Sequence, residues 1–285
     1  MTAVPVGPAP SAGPAAYPDL VVPRPRLPKP RRREVTLALR TLGPLALLGG
    51  WWAASAAGVL SPDVLASPAT VLGAAGELWS DGQLTDALRV SLTRAVLGLS
   101  CGLAAGLMLG VVTGFSRLGE ELLDSPLQLL RALPFLSLVP LFMVWFGIGE
   151  TARIVLIAVA TTFPMYVSTA GGVRNVDRRL LEAMRSFGLR GWPLVREVVL
   201  PGALPSLLAG FRLSMTLSVI ALIAAEEINS TSGIGYLMTQ AQSFSRTDIL
   251  SLCVLIYGIL GLLADLVARG AERVLMPWRP REAAR

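Results

Sequence analysis

Six apolar runs, at about residues 41–60, 92–115, 129–148, 152–171, 207–228 and 249–268, constrain this chain most. Each reaches the roughly 20 residues that a helix needs to cross the hydrocarbon core of a bilayer. The sequence therefore predicts an all-α, polytopic membrane protein with about six transmembrane helices. Composition agrees, because 53% of residues are hydrophobic and only 15% charged, against about 25% charged in soluble domains.

Charge orders the spans. The net charge is +6, but the arginines cluster between apolar runs, which points to membrane topology rather than to nucleic acid. Lys and Arg number seven in 1–40, six in 172–206 and five in 269–285. The positive-inside rule therefore puts both termini and the 172–206 segment in the cytoplasm, with 61–91, 149–151 and 229–248 outside. Residues 1–34 carry nine of the 21 prolines and read as a disordered cytoplasmic tail. Residues 35–275 form the transmembrane domain, and 276–285 a second cytoplasmic tail.

Several activities are excluded. The chain has no histidine, so Ser-His catalysis and His-ligated metal are ruled out. Its one lysine, Lys29, lies in the Pro-rich tail, away from any phosphate-gripping Gly-x4-Gly-Lys-Ser/Thr loop. Any dependence on ATP must come from a partner. Cys101 and Cys253 lie inside apolar runs and read as ordinary buried thiols.

Glycines at 98, 102, 106, 110 and 114 recur every fourth residue of the second run. Such a stripe lets another helix backbone approach closely. Plain packing is the first reading of Gly98, Gly102, Gly106, Gly110 and Gly114, and a sliding surface used in gating the second. Pro134, Pro140 and Pro164 predict kinks in the third and fourth spans. Ser67-Pro68 opens a short outer helix, Asp81-Gly82 a turn, and Thr85 is a candidate cap for the helix entering span two. Arg94, Arg212, Glu226, Glu227 and Asp265 fall near span ends, where they are expected to snorkel to the interface. An outer gate is the alternative for the two glutamates. Uncharged span centres argue against an ion-coupled carrier and against an intramembrane hydrolase. Thr161, Thr162, Ser214, Thr216 and Ser218 either line a passage or bond neighbouring helices.

The segment from Gly172 to Pro205 is the one long charged stretch between apolar runs, with six arginines and three acids. Leu180, Leu181, Met184 and Phe187 still recur at helical spacing. Asp177 is a candidate N-cap and Gly188 a stop. A second short helix is expected from Pro193, with Pro201 and Pro205 ending it. Exposed apolar stripes on such a hairpin suggest a protein-docking surface.

Glu182-Ala183-Met184, three residues, Gly188, nine residues and Val198-x-Leu200-Pro201 together resemble the EAA loop of ABC importer permeases. Met184 and Val198 depart conservatively from the pattern. Val139-Pro140-Leu141, Trp145-Phe146-Gly147-Ile148-Gly149 and Phe163-Pro164-Met165 extend the likeness. Gly171 to Asp177 and Ser232-Gly233-Ile234-Gly235-Tyr236 are similar to the group handling aliphatic sulfonates, taurine and nitrate.

The resemblance implies the fold of a type I ABC importer permease in a bacterial inner membrane. It implies two cytoplasmic ATPase subunits that bind ATP and Mg2+, a second permease copy, and an extracytoplasmic solute-binding protein. No cofactor is expected on this chain itself, nor any enzymatic activity. Within the loop, Glu182 and Arg185 would dock on the ATPase. Leu180, Leu181, Met184 and Phe187 would either grip it or pack inward, and Gly188 would reverse the chain. The expected cargo is a small organic anion, with aliphatic sulfonate ahead of taurine and nitrate. A secondary transporter and a membrane-embedded enzyme are the rivals from other classes.

Overall fold

A computed structural model describes residues 33–277 apart from 62–63, 117, 123–125, 127–128, 130–134 and 229. The Pro-rich tail up to residue 32, Pro134, and most of the second tail lie outside the described residues. Among those described, regular structure is helical throughout: α1 Arg33–Ala56, α2 Pro68–Ser80, α3 Gln83–Phe115, α4 Val139–Phe146 and α5 Glu150–Arg174. There follow α6 Arg178–Ser186, α7 Trp192–Glu227, α8 Ile234–Ser243 and α9 Thr247–Leu275. Helices α3, α5, α7 and α9 are long and apolar enough to cross a membrane. They account for four of the six expected spans.

The glycine stripe sets the arrangement of α3 on α5. A Cβ placed on Gly98 would lie 2.6 Å from Ile157 Cβ, and one on Gly106 2.8 Å from Met165 Cβ. One on Gly114 would lie 2.8 Å from Val173 Cβ. Gly102 and Gly110 meet Thr161 and Thr169 in the same way. Partner numbers rise in step with the glycines, so α3 and α5 run parallel and in contact along their length. Each stripe position faces the residue 59 further along the chain. Parallel neighbours require the intervening chain to recross the layer, which is the work assigned to the third span.

That span is not one regular helix. Its described part is a 3-10 turn, Phe135–Leu138, followed by the eight residues of α4. Pro140 stands in the first turn of α4, where its missing N–H costs nothing, so it starts a helix instead of kinking one. Gly147, at φ 78°, ends it. Pro164 does lie inside α5.

Helix α7 runs antiparallel to α5. Ser214 Oγ donates to the Thr161 carbonyl across the contact at 2.8 Å, while Thr161, Thr162, Thr216 and Ser218 donate to carbonyls of their own helices. Arg212 and Arg269 share Asp265, at 2.8 and 2.6 Å, tying α7 to α9.

The expected stops at Pro201 and Pro205 do not occur, because the chain stays helical from Trp192 to Glu227. Residues Val195–Val199 form a π-turn, in which Leu200 N–H donates to the Val195 carbonyl, five residues back. The wider turn delivers Pro201 to the first turn of the α-helical part, the one place that tolerates it. Ser67 caps α2 by accepting from Thr70 N–H. Thr85 does not cap α3: Gly82 occupies that position at φ 76°, and the Thr85 hydroxyl donates to its carbonyl.

Candidate functional site

Two clusters stand at opposite ends of the bundle. The C-terminal ends of α3 and α5, all of α6 and the start of α7 share one end. The start of α5, the end of α7 and α8 share the other.

At the first end, Asp177 accepts from Arg179 N–H at 2.9 Å and starts α6. Gly188, at φ 91°, reverses the chain after Phe187. Val176, Leu194, Val198 and Val199 form a small buried core, and Leu181 and Met184 pack against it from α6. The apolar stripe is thereby divided. Leu181 and Met184 hold the hairpin to the π-turn, whereas Leu180 is exposed and Phe187 is 81% exposed. Glu182, Ala183, Arg185, Gly188, Leu200 and Pro201 are exposed as well, and Trp192 adds a second exposed aromatic ring. The hairpin thus exposes Leu180, Phe187 and Trp192 along with the charged residues Arg178, Arg179, Glu182 and Arg185.

At the other end, the structure corrects the snorkelling expectation for Arg94 and Glu226. Their side chains are 1% and 0% exposed. Arg94 Nε and Nη2 donate to Glu150 Oε2 and Oε1 at 2.6 and 2.5 Å. Its Nη1 donates to Glu226 Oε1 at 2.6 Å and to the Ser232 carbonyl at 2.8 Å. Nη2 also reaches Ser232 Oγ at 2.9 Å. All five N–H donors of the guanidinium are therefore used inside the protein, and nothing draws it to the interface.

Glu226 accepts further hydrogen bonds from Ser91 Oγ, Gly235 N–H and Tyr257 Oη, the last at 3.0 Å. At the start of α8, Gly235 N–H thus donates to the buried carboxylate, while Ile234 N–H donates to Ser91 Oγ. Gly233 and Gly235 permit this approach: a Cβ on Gly233 would lie 2.6 Å from both Arg94 Nη1 and Glu226 Oε1, and one on Gly235 would overlap Glu226. Arg153 Nη1 donates to Glu150 Oε1 at 3.0 Å and closes the cluster. Glu227, by contrast, is exposed.

The bundle interior therefore holds charge, and the distinction from an ion-coupled carrier cannot rest on its absence. It rests on kinship. The chain is 45% identical over 237 residues to a putative aliphatic sulfonates transport permease of Escherichia coli K12, covering 83% of this chain and 90% of the relative. A Bacillus subtilis permease of the same description is 38% identical, covering 88% and 91%. The Escherichia coli taurine transport system permease is 35% identical, covering 87% and 92%. A solved amino acid ABC transporter shares the fold at TM-score 0.57 and 18% identity, over 70% of this chain and 97% of that one. Residues 102–278 match one family along their whole length. With its all-α bundle of apolar helices, this chain belongs to the binding-protein-dependent transport system inner membrane components, the permease subunits of ABC importers.

Proposed function

We propose that the chain is the transmembrane subunit of an ATP-driven importer of aliphatic sulfonates. The observation that carries the coupling is the divided stripe of α6. Leu181 and Met184 anchor the helix, which leaves Leu180, Phe187, Glu182 and Arg185 for a groove on a cytoplasmic ATPase that binds ATP and Mg2+. A second permease copy and an extracytoplasmic binding protein complete the assembly in the bacterial inner membrane, with both termini of this chain in the cytoplasm. Kinship to two permeases described as serving aliphatic sulfonates supports that cargo. The 35% identity to a taurine permease favours taurine as the second reading.

Replacing Gly188 with Val tests the coupling, because a β-branched residue is a severe misfit at φ 91°. ATPase capture in membranes and sulfonate uptake should both fall. Full capture with full uptake would sink the coupling role. Uptake of radiolabelled alkanesulfonate against taurine, with the cognate binding protein supplied, decides the cargo.

A further inference from the structure

Two arginines share one carboxylate on an open face of the bundle, where α7 meets α9. Arg212 Nη2 lies 2.8 Å from Asp265 Oδ1, and Arg269 Nη2 lies 2.6 Å from Asp265 Oδ2. One carboxylate cannot neutralise two guanidinium groups, so the trio carries a surplus positive charge. Glu272 and Arg273, on the next turn of α9, add one charge of each sign and leave that surplus unchanged. Unlike Arg94, both arginines are open, with side chains 43% and 50% exposed. Asp265 is the one bonded partner of either guanidinium among the described residues, so most of their N–H donors remain available.

Depth narrows the choice of ligand. Asp248 and Asp265 bracket residues 249–264 of α9, which carry no charge. At ~1.5 Å per residue this stretch rises roughly 24 Å, most of a hydrocarbon core of about 30 Å. On α7 the uncharged stretch from Leu213 to Ala225 likewise ends at Arg212. The trio therefore stands where the apolar part of both helices stops, on the side of the α6 hairpin. Long basic side chains at that level reach the lipid headgroups. Leu213, Leu262 and Leu266 flank the trio and are exposed. Gly261 and Gly258 precede Asp265 by one and two turns on the same row of α9. A Cβ on either would meet nothing within 4 Å. The surface leading from the trio toward the middle of the membrane is thus apolar and low.

Charge decides between the two occupants that such a face can take. A second permease copy docked here through a two-fold contact would set the same surplus charge against itself. An anionic headgroup neutralises it, and phosphate oxygens match the planar donor edges of two guanidinium groups.

We propose that Arg212 and Arg269 bind the phosphate of an anionic phospholipid, drawn from the leaflet on the hairpin side, with one acyl chain lying over Gly261 and Gly258. Asp265 stays in place and spaces the two arginines. The bound lipid bridges α7 and α9 in the part of α7 that follows the π-turn. The site depends on neither the cargo nor the ATPase reading.

The test separates a lipid site from general basicity. The full-length permease is extracted in nonionic detergent with the subunits it holds, and native mass spectrometry reads retained lipid and subunit number together. Wild type should retain phosphatidylglycerol at least fivefold over phosphatidylcholine of the same chains; no preference would overturn the site. Arg269→Gln leaves Arg212 and Asp265 as a balanced pair, and the preference should fall about fivefold, the worth of one basic residue at a lipid surface. Arg273→Gln removes the same charge from an exposed position one turn further on and should change the preference less than twofold. Equal losses in the two variants would overturn the site in favour of a general basic surface. Fewer permease subunits with Arg269→Gln, at unchanged lipid, would assign the arginines to a second copy instead. Displacement of phosphatidylglycerol by inorganic phosphate would assign them to a free anion. A further variant covers poor folding of the arginine changes: Asp265→Asn keeps both arginines and an acceptor between them but removes the competing charge, so retention of phosphatidylglycerol should rise at least twofold. No rise there would also overturn the site.

Discussion

Replacing Arg94 with Leu leaves Glu226 as a carboxylate at 0% exposure, with no cation among the described residues bonded to it. Ser91, Gly235 and Tyr257 remain as donors, but neutral donors do not replace a counter-ion in a low-dielectric interior. Breaking a buried pair by removing one partner costs about 3–5 kcal/mol, a large share of a total stability on the order of 5–15 kcal/mol. Glu226→Gln in the wild-type background is milder. Arg94 keeps Glu150 as its counter-ion, so the loss is that of charge-assisted hydrogen bonds, about 1.5–3 kcal/mol.

The informative variant is the double one. With Arg94 already Leu, Glu226→Gln removes the uncompensated charge and keeps an acceptor for Ser91 and Tyr257. The same substitution should then stabilise the protein, by about 2 kcal/mol or more. Reversible unfolding of the purified chain in mixed detergent micelles gives all four corners of the cycle. If Glu226→Gln is equally destabilising in both backgrounds, or Arg94→Leu costs less than about 1 kcal/mol, the pair is not the buried ionic unit described here.

Other outcomes follow from the packing. Gly106→Leu must push α3 from α5, since even a Cβ there would lie 2.5 Å from the Thr162 carbonyl; overpacking of this kind costs about 1–3 kcal/mol in the same unfolding assay. Phe187→Ala should leave folding within about 0.5 kcal/mol yet weaken ATPase capture about 30-fold, the loss of one aromatic anchor. Met184→Ala should do the opposite, lowering unfolding stability first, because Met184 packs on Val198 and its neighbours; equal effects of the two on capture and stability would contradict the division of the stripe.

The repeat of the glycines was enough to place α3 against a close neighbour, because a four-residue period has one structural meaning on a helix. The same period held a signal that the snorkelling argument overlooked. Arg94 stands four residues before Gly98, on the packed face of α3, and the 59-residue offset of the stripe pairs its level with Arg153. A long side chain on that face cannot reach lipid headgroups without crossing a neighbouring helix. Local sequence could not reveal its partners, since Glu150 lies 56 residues away and Glu226 and Ser232 more than 130. Pro201 and Pro205 misled for a different reason. Proline forbids a helix only where its missing donor or its ring conflicts with the preceding turn, and the π-turn at Val195–Val199 removes the conflict at Pro201. Gly188 and Asp177 were legible because capping is a local matter, settled within a few residues.

Helix α7 joins the two clusters physically. Its first residues pack against α6 in the hairpin, and Glu226 lies near its far end. At ~1.5 Å per residue, Leu200 and Glu226 are separated by roughly 39 Å of continuous helix. The π-turn precedes this rod and is the sort of local irregularity at which a helix pivots. A tilt of roughly 5° there moves Glu226 by about 3.4 Å, more than the 2.6 Å that separates it from Arg94 Nη1. A small displacement of the hairpin is therefore large on the scale of the ion cluster, and the cluster cannot stay intact unless α3 and α5 move with the rod. Because α3 and α5 are joined along the whole glycine stripe, they should travel as one body against α7. Spin labels at Asp86 on α3 and Glu227 on α7, both exposed, report on that relative motion. Their distance should change by about 3 Å between the nucleotide-free and ATP-bound importer; a constant distance would mean that α3 and α5 move with α7 and that the ion cluster stays intact, against the relative motion argued here.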